Sequence, residues 1–260
     1  TSKTNNNINN WLWTLTGPNG TTTSTLSNPT FNLPKSFNGT QNYTLSLQVT
    51  DANGCQDSIT NNFQVFPTPT ADFTLLQDTV CTGTNINTIL SNNSTDTTNN
   101  LTYNWNIDTT GTNLYNTSDT IPSYTLLNNG NGINAYTITL TVTNNYGCDS
   151  ILYDTIYIAP NAIAHLDTLA TLTDCAPFTI DNNTIAANHF SGNNSYTWFV
   201  KTTSGYTITS FNGRNNLNYT INDDDTSLVI LLVVTSANQC LEDTVSINVS
   251  TIENPNPYWS

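Results

Sequence analysis

The side chains in this 260-residue sequence best placed to do chemistry are five thiols: Cys55, Cys81, Cys148, Cys175 and Cys240. Cys55, Cys148 and Cys240 step by 93 and 92 residues, and each ends a version of one phrase. Tyr43 to Cys55 reads YTLSLQVTDANGC, Tyr136 to Cys148 reads YTITLTVTNNYGC, and a weaker copy runs from Leu228 to Cys240. A period this long marks a string of similar small domains. Cys81 and Cys175 precede the next phrase cysteine by 67 and 65 residues. Paired thiols can close disulfides or bind metal. Zinc ligation favours CxxC spacing with matched histidines, which this chain lacks. The spacing therefore predicts one disulfide per repeat, Cys81–Cys148 and Cys175–Cys240, with Cys55 bonded to a residue outside the segment. Such a bridge closes a long loop and stabilises by about 4 kcal/mol in the chain-entropy view. Disulfides persist in oxidising compartments, so an extracellular or cell-surface location is expected.

Other chemistry is sparse. Asp223-Asp224-Asp225 is the densest charge run, and Asp72, Asp167 and Asp174 lie near repeat starts. Calcium takes oxygen ligands and could stiffen a junction there. The same run suits a solvated turn, and no alternating Asp-x-Asp-x-Asp appears. No cofactor is expected, with calcium at Asp223, Asp224 and Asp225 the one metal option. His165 and His189 are the only histidines. Nucleophile elbow, phosphate loop and HExxH motifs are missing, so an enzyme is not expected. Lys3, Lys35 and Lys201 do not occupy equivalent places in the repeats, which disfavours an intramolecular Lys–Asn isopeptide bond.

Composition narrows the partners. Only four side chains are basic and the formal net charge is −14. Nucleic acid needs clustered Lys and Arg and is excluded as a partner; anionic lipid is disfavoured likewise. No apolar run approaches the roughly 20 residues of a spanning helix. Asn and Thr together make up roughly a third of the chain. Thr favours strands and Asn favours turns, and together they indicate an all-β protein. Methionine is absent and the first repeat starts part-way through, so the chain reads as an internal piece of a longer protein.

The elements that must position the cysteines follow from periodicity. Tyr136, Ile138, Leu140 and Val142 alternate with threonines, the mark of a half-buried antiparallel strand. Tyr43, Leu45, Leu47 and Val49 repeat the pattern. Second strands follow each cysteine turn, at 59–66, 151–158 and 244–249, with Asn-Gly or Tyr-Gly in the first two turns suiting a hairpin. Trp13, Trp105 and Trp198 sit on a short strand early in each repeat. One large aromatic at a fixed place suits a plug between two sheets, with Tyr43 and Tyr136 beside it in the core. The expected fold is a tandem of immunoglobulin-like β-sandwich domains: 1–67 truncated, 68–159 and 160–252 complete, and 253–260 a linker. Pro67-Thr68-Pro69-Thr70 and Pro160-Asn161 are stiff separators.

The third repeat differs. Leu228, Ile230, Leu232 and Val234 take the core face, and Val229, Leu231 and Val233 stand on the other face where the second repeat has threonines. A strand apolar on both faces is expected to be covered on both. The cover is a local loop, or a contact with a neighbouring domain or another copy of the chain.

These phrases, with the junction Phe66-Pro67-Thr68-Pro69-Thr70-Ala71-Asp72-Phe73, resemble PKD-type repeats, nearest to those of giant Bacteroidota surface proteins. The likeness is strong in the first two repeats and weaker in the third. The family's Trp strand continues into Asp-Phe-Gly-Asp-Gly, whereas here Trp105 is followed by Asn106-Ile107-Asp108-Thr109-Thr110-Gly111, and the acidic turn is lost. The resemblance implies PKD-like sandwiches serving as spacers or adhesive repeats in proteins exported by the type IX system. The expected function is therefore a structural segment of a giant secreted protein, forming an extracellular stalk, fibre or filament for adhesion. Its expected partners are other modules of the same chain and further copies in a homo-oligomeric filament, without membrane insertion. The alternative is a carbohydrate-binding array, for which Trp11, Tyr206, Tyr258 and Trp259 would form an exposed aromatic row.

Overall fold

The computed structural model describes residues 1–260 apart from 1–6, 37, 98–99, 110, 131, 168–170, 188–193, 254 and 256–260. The regular elements described are eighteen strands and one short 3-10 turn, Ile86–Thr88. The chain is all-β. The first repeat carries β1 (Ile8–Gly17), β2 (Gly20–Ser24), β3 (Gln41–Asp51) and β4 (Gln56–Val65), in one sheet ordered β2-β1-β3-β4. The second carries β5 (Phe73–Leu75), β6 (Thr79–Cys81), β7 (Leu90–Asn92), β8 (Leu101–Thr109), β9 (Thr112–Thr117), β10 (Asn134–Asn144) and β11 (Asp149–Ala159). The third carries β12 (Thr171–Cys175), β13 (Phe178–Asp181), β14 (Ser195–Thr202), β15 (Thr207–Asn212), β16 (Asn218–Ile221), β17 (Ser227–Thr235) and β18 (Asp243–Ile252).

The two longer repeats share a topology. A five-stranded sheet, β6-β11-β10-β8-β9 or β12-β18-β17-β14-β15, accompanies a two-stranded sheet, β5-β7 or β13-β16. In each large sheet the short first strand runs parallel to the last strand, β6 along β11 and β12 along β18. This is the immunoglobulin-like sandwich pattern. The strands after the cysteine turns are longer than their apolar stretches suggested, because ladder pairing continues through polar residues at their ends.

Contacts gather the chain into two compact units. One comprises Thr1–Leu76, Ile89–Pro122 and Thr137–Asp154; the other comprises Gln77–Thr88, Ser123–Tyr136 and Thr155–Ser260. In the first, alternation along β10 buries Ile138, Leu140 and Val142 completely around Trp105, whose ring meets Phe73 edge-on at 5.4 Å. In the second, Leu228, Ile230, Leu232 and Val234 of β17 pack with Trp198, Ile180, Ile185 and Val249. Burying one such aliphatic side chain contributes about 1.5–3 kcal/mol.

The tryptophans differ. Trp105 and Trp198 are fully buried, and their indole N–H groups donate to the carbonyls of Asp119 (3.1 Å) and Arg214 (3.2 Å). Trp13 is half-buried, and its indole nitrogen has no partner among the described residues. Tyr43 is buried, stacks on Phe63 and lies over Gly17, where an added Cβ would fall 2.2 Å from its ring. Tyr136 is buried and donates its hydroxyl to the Leu127 carbonyl. Burial, and secondarily the nearby Tyr124, raise the Tyr136 phenol above its ordinary value.

Candidate functional site

The site is built from two kinds of cysteine position. The first is a turn. Gly54 donates to the Asp51 carbonyl, Gly147 to that of Asn144 and Gln239 to that of Ser236, at 3.0–3.1 Å. All three donors have left-handed backbone, with φ of 85°, 78° and 57°. Asp51 Oδ1 accepts the N–H groups of Asn53 and Cys55, and Asn144 Oδ1 those of Tyr146 and Cys148. Such Asx loops explain the sequence choice: a short polar side chain at the strand end replaces missing ladder partners. Cys55, Cys148 and Cys240 thus follow equivalent turns.

The second position is a strand end. Cys81 is the last residue of β6 and pairs with Ala159, the last residue of β11. Cys175 is the last residue of β12 and pairs with Ile252, the last residue of β18. Turn cysteine and strand-end cysteine therefore lie at opposite ends of one repeat's last strand.

That geometry corrects the expected pairing. Cys148 precedes the 11-residue β11, and Cys81 lies at that strand's far end. At about 3.3 Å per residue the strand between them spans roughly 35 Å, whereas a disulfide needs Cα atoms within about 7 Å. Cys240 and Cys175 are separated in the same way by β18. The bond formed is Cys81–Cys240, with a Cα separation of 5.5 Å across 159 residues of sequence. It joins the second repeat to the third. Cys55, Cys148 and Cys175 are free thiols. The pairing within repeats failed because period and spacing are the same whether a bond closes one repeat or crosses to the next. The readable signal was position: a cysteine ending the first strand of a repeat reaches the end of its last strand.

The segment between β11 and β12 helps bring these cysteines together. Thr82 N–H donates to the Ala159 carbonyl, Ala162 N–H to the Leu241 carbonyl, and Ala164 N–H to the Asp243 carboxylate. The chain leaving β11 is thereby laid against the segment that follows Cys240. An earlier linker does likewise: the Asn144 side-chain amide donates to the Pro67 carbonyl at 2.7 Å, and Tyr146 stacks on Phe66 at 4.2 Å.

The remaining candidates separate. Asp223, Asp224 and Asp225 form part of the turn between β16 and β17, where the Thr251 hydroxyl donates to the Asp223 carbonyl and Asp225 has φ of 51°. Among the described residues no group of three or more His, Cys, Asp or Glu side chains could hold a metal. Asp223, Asp224 and Asp225 are all solvent-exposed in this turn. His165 lies 3.6 Å from Asp167, both half exposed, and His189 lies outside the described residues.

Val229, Leu231 and Val233 are half-buried on the outer face of β17. Their cross-strand neighbours are Lys201, Phe199 and Thr197 on one side and Asn248, Ser246 and Thr244 on the other. The Lys201 ammonium lies 5.5 Å from the Phe199 ring centre. Neighbouring side chains of the same sheet thus supply part of the cover that the sequence called for. Of the aromatic row, Trp11 is half-buried opposite Val49 and Tyr206 is exposed, while Tyr258 and Trp259 lie outside the described residues.

No protein-family model matches the chain, and no curated protein matches it. Among solved structures it is similar to the fibronectin(III)-like modules of Clostridium thermocellum CbhA, with 11% identity over 74% of this chain and 100% of that one and a TM-score of 0.27. It is similar to Drosophila N-cadherin EC1-4, with 14% identity over 95% and 67% of the two chains and a TM-score of 0.38. Human CDH23 EC21-23 shows 16% identity over 80% and 73%, with a TM-score of 0.38.

Proposed function

We propose that this chain is a non-enzymatic structural segment of a large secreted surface protein, a run of PKD-like sandwiches forming an extracellular stalk or fibre used in adhesion. The observation that carries this reading is the Cys81–Cys240 bond. A disulfide from the strand end of one repeat to the turn of the next closes the joint covalently, beside a linker already stiffened by Pro160. Covalent joints between consecutive sandwiches suit a load-bearing spacer and an oxidising location. The resemblance to PKD-type repeats of Bacteroidota adds the type IX export route to the proposal.

Lateral association of several copies into a thicker filament is part of the same reading, with Val229, Leu231 and Val233 as the contact. Electron microscopy of the native surface material tests both. Extended fibres several chains wide support stalk and lateral contact together. Single-chain strands retain the stalk and remove the lateral contact. Compact particles overturn the reading.

A further inference from the structure

The one disulfide bond shows a geometry that the three free thiols repeat. Cys175 ends β12 opposite the last residue of β18, as Cys81 ends β6 opposite the last residue of β11. Cys148 and Cys55 follow the same left-handed turn as Cys240. Cys175 is therefore an unpaired strand-end half, and Cys148 and Cys55 are unpaired turn halves. We propose that these thiols are halves of the same staple, bonded to cysteines of adjoining repeats: Cys175 to the turn cysteine of a following repeat, and Cys148 to a cysteine ending a strand that lies along β4.

A second feature points to the same occupant for Cys148. The last strands of the longer repeats carry a parallel strand on their outer edge, β6 on β11 and β12 on β18. Among the described residues, the last strand of the first repeat, β4, pairs with β3 on one side only. An open edge offers unpaired N–H and C=O groups to an added strand. The end of β4 is already beside the turn that holds Cys148, because Pro67 accepts the Asn144 amide and Phe66 stacks on Tyr146. A parallel strand ending in cysteine opposite Phe66 would present its sulfur to Cys148 as Cys81 presents its own to Cys240. A metal site is a poorer use of these thiols, since no His, Cys, Asp or Glu group of three surrounds them among the described residues.

Each bond needs a two-electron oxidant, here a dithiol–disulfide oxidoreductase. One protein thiolate attacks the oxidant's disulfide and forms a mixed disulfide. The second protein thiolate attacks the protein-side sulfur, the new S–S bond forms, and the oxidoreductase leaves as its dithiol carrying both electrons.

This inference rests on reading the chain as consecutive repeats, but not on adhesion or fibre formation. The test is a non-reducing peptide map of the polypeptide as its source makes it, with free thiols alkylated before digestion. The expected result is a Cys81–Cys240 linked peptide, with Cys148 and Cys175 each linked to a cysteine peptide from outside residues 1–260. Recovery of Cys148 or Cys175 as the alkylated thiol overturns the proposal, as does linkage of Cys148 to Cys81 or of Cys175 to Cys240. Compact particles in the microscope together with the expected map would remove the fibre and leave the staple standing.

Discussion

Gln239 occupies the place of Gly147: both donate to the carbonyl three residues earlier, and both have left-handed backbone, at φ of 57° and 78°. Glycine takes that conformation freely, whereas a side chain costs about 1–2 kcal/mol there. Gln239→Gly should stabilise the protein by about 1 kcal/mol, and Gly147→Ala should destabilise it by a similar amount. Urea denaturation of the two variants checks both signs, and a loss of stability in Gln239→Gly would contradict the shared turn.

The Cys81–Cys240 bond encloses 159 residues. In the chain-entropy model a loop of that size contributes about 5 kcal/mol. The Cys81→Ser, Cys240→Ser double variant should lose a large part of that in guanidinium titration, and reducing agent should shift the midpoint of the parent but not of the variant. Cys148→Ser should leave the stability of the 260-residue chain nearly unchanged.

Trp105→Ala and Trp198→Ala remove fully buried rings and should each cost about 3–5 kcal/mol. Trp13→Ala should cost clearly less, because its ring is half-buried and its indole nitrogen has no partner among the described residues. Thermal melts of the three variants give the order. Gly17→Ala belongs with them: the new methyl meets the Tyr43 ring, and overpacking of this kind costs about 1–3 kcal/mol.

The Asp181 carboxylate accepts hydrogen bonds from the Asn183 side-chain amide, the Asn183 N–H and the Thr184 N–H. The Asn183 side chain is the largest cause of a carboxyl held below its ordinary value. A depressed folded value means the contribution is present above about pH 4, the unfolded value, and is lost as pH falls through the folded one. NMR titration should place Asp181 below a free aspartate, and Asn183→Ala should raise it. An unchanged midpoint in that variant would show that the amide does not stabilise the charge.

On β17 the two faces should respond differently. Leu232→Thr puts a hydroxyl into a fully buried site and should cost about 3 kcal/mol or more. Leu231→Thr, on the half-buried face, should cost about 1 kcal/mol or less in the isolated chain. If the lateral contact of the proposed filament is real, the same Leu231 change should also thin the fibres in micrographs.

Much of this architecture was legible in the sequence. Alternation fixed the faces of β10 and β17, since Ile138, Leu140, Leu232 and Val234 are fully buried where period two places them. The burial of Trp105 and Trp198 also follows from their fixed place in the repeat. The cysteine pairing was not legible, because it depends on the direction of β6 and β12. Those strands are three and five residues long, too short for periodicity to reveal whether they run parallel to the last strand. Nor could composition show that Thr251, on the last strand, ties down the Asp223–Asp225 turn through the Asp223 carbonyl.

The parallel pairing of first and last strands also sets how a repeat responds to tension. β12 and β18 run side by side over Thr171–Cys175 and Asn248–Ile252, and the chain enters through one and leaves through the other. With the Cys81–Cys240 bond reduced, a pull on the two ends would slide these strands along each other, loading their hydrogen bonds in shear, and rupture would follow the unfolding rate. With the bond formed, tension arriving at Cys81 crosses the sulfur bridge to Cys240 and runs directly into β18, so the enclosed residues, β12 among them, carry none of it and cannot lengthen until the bond is reduced.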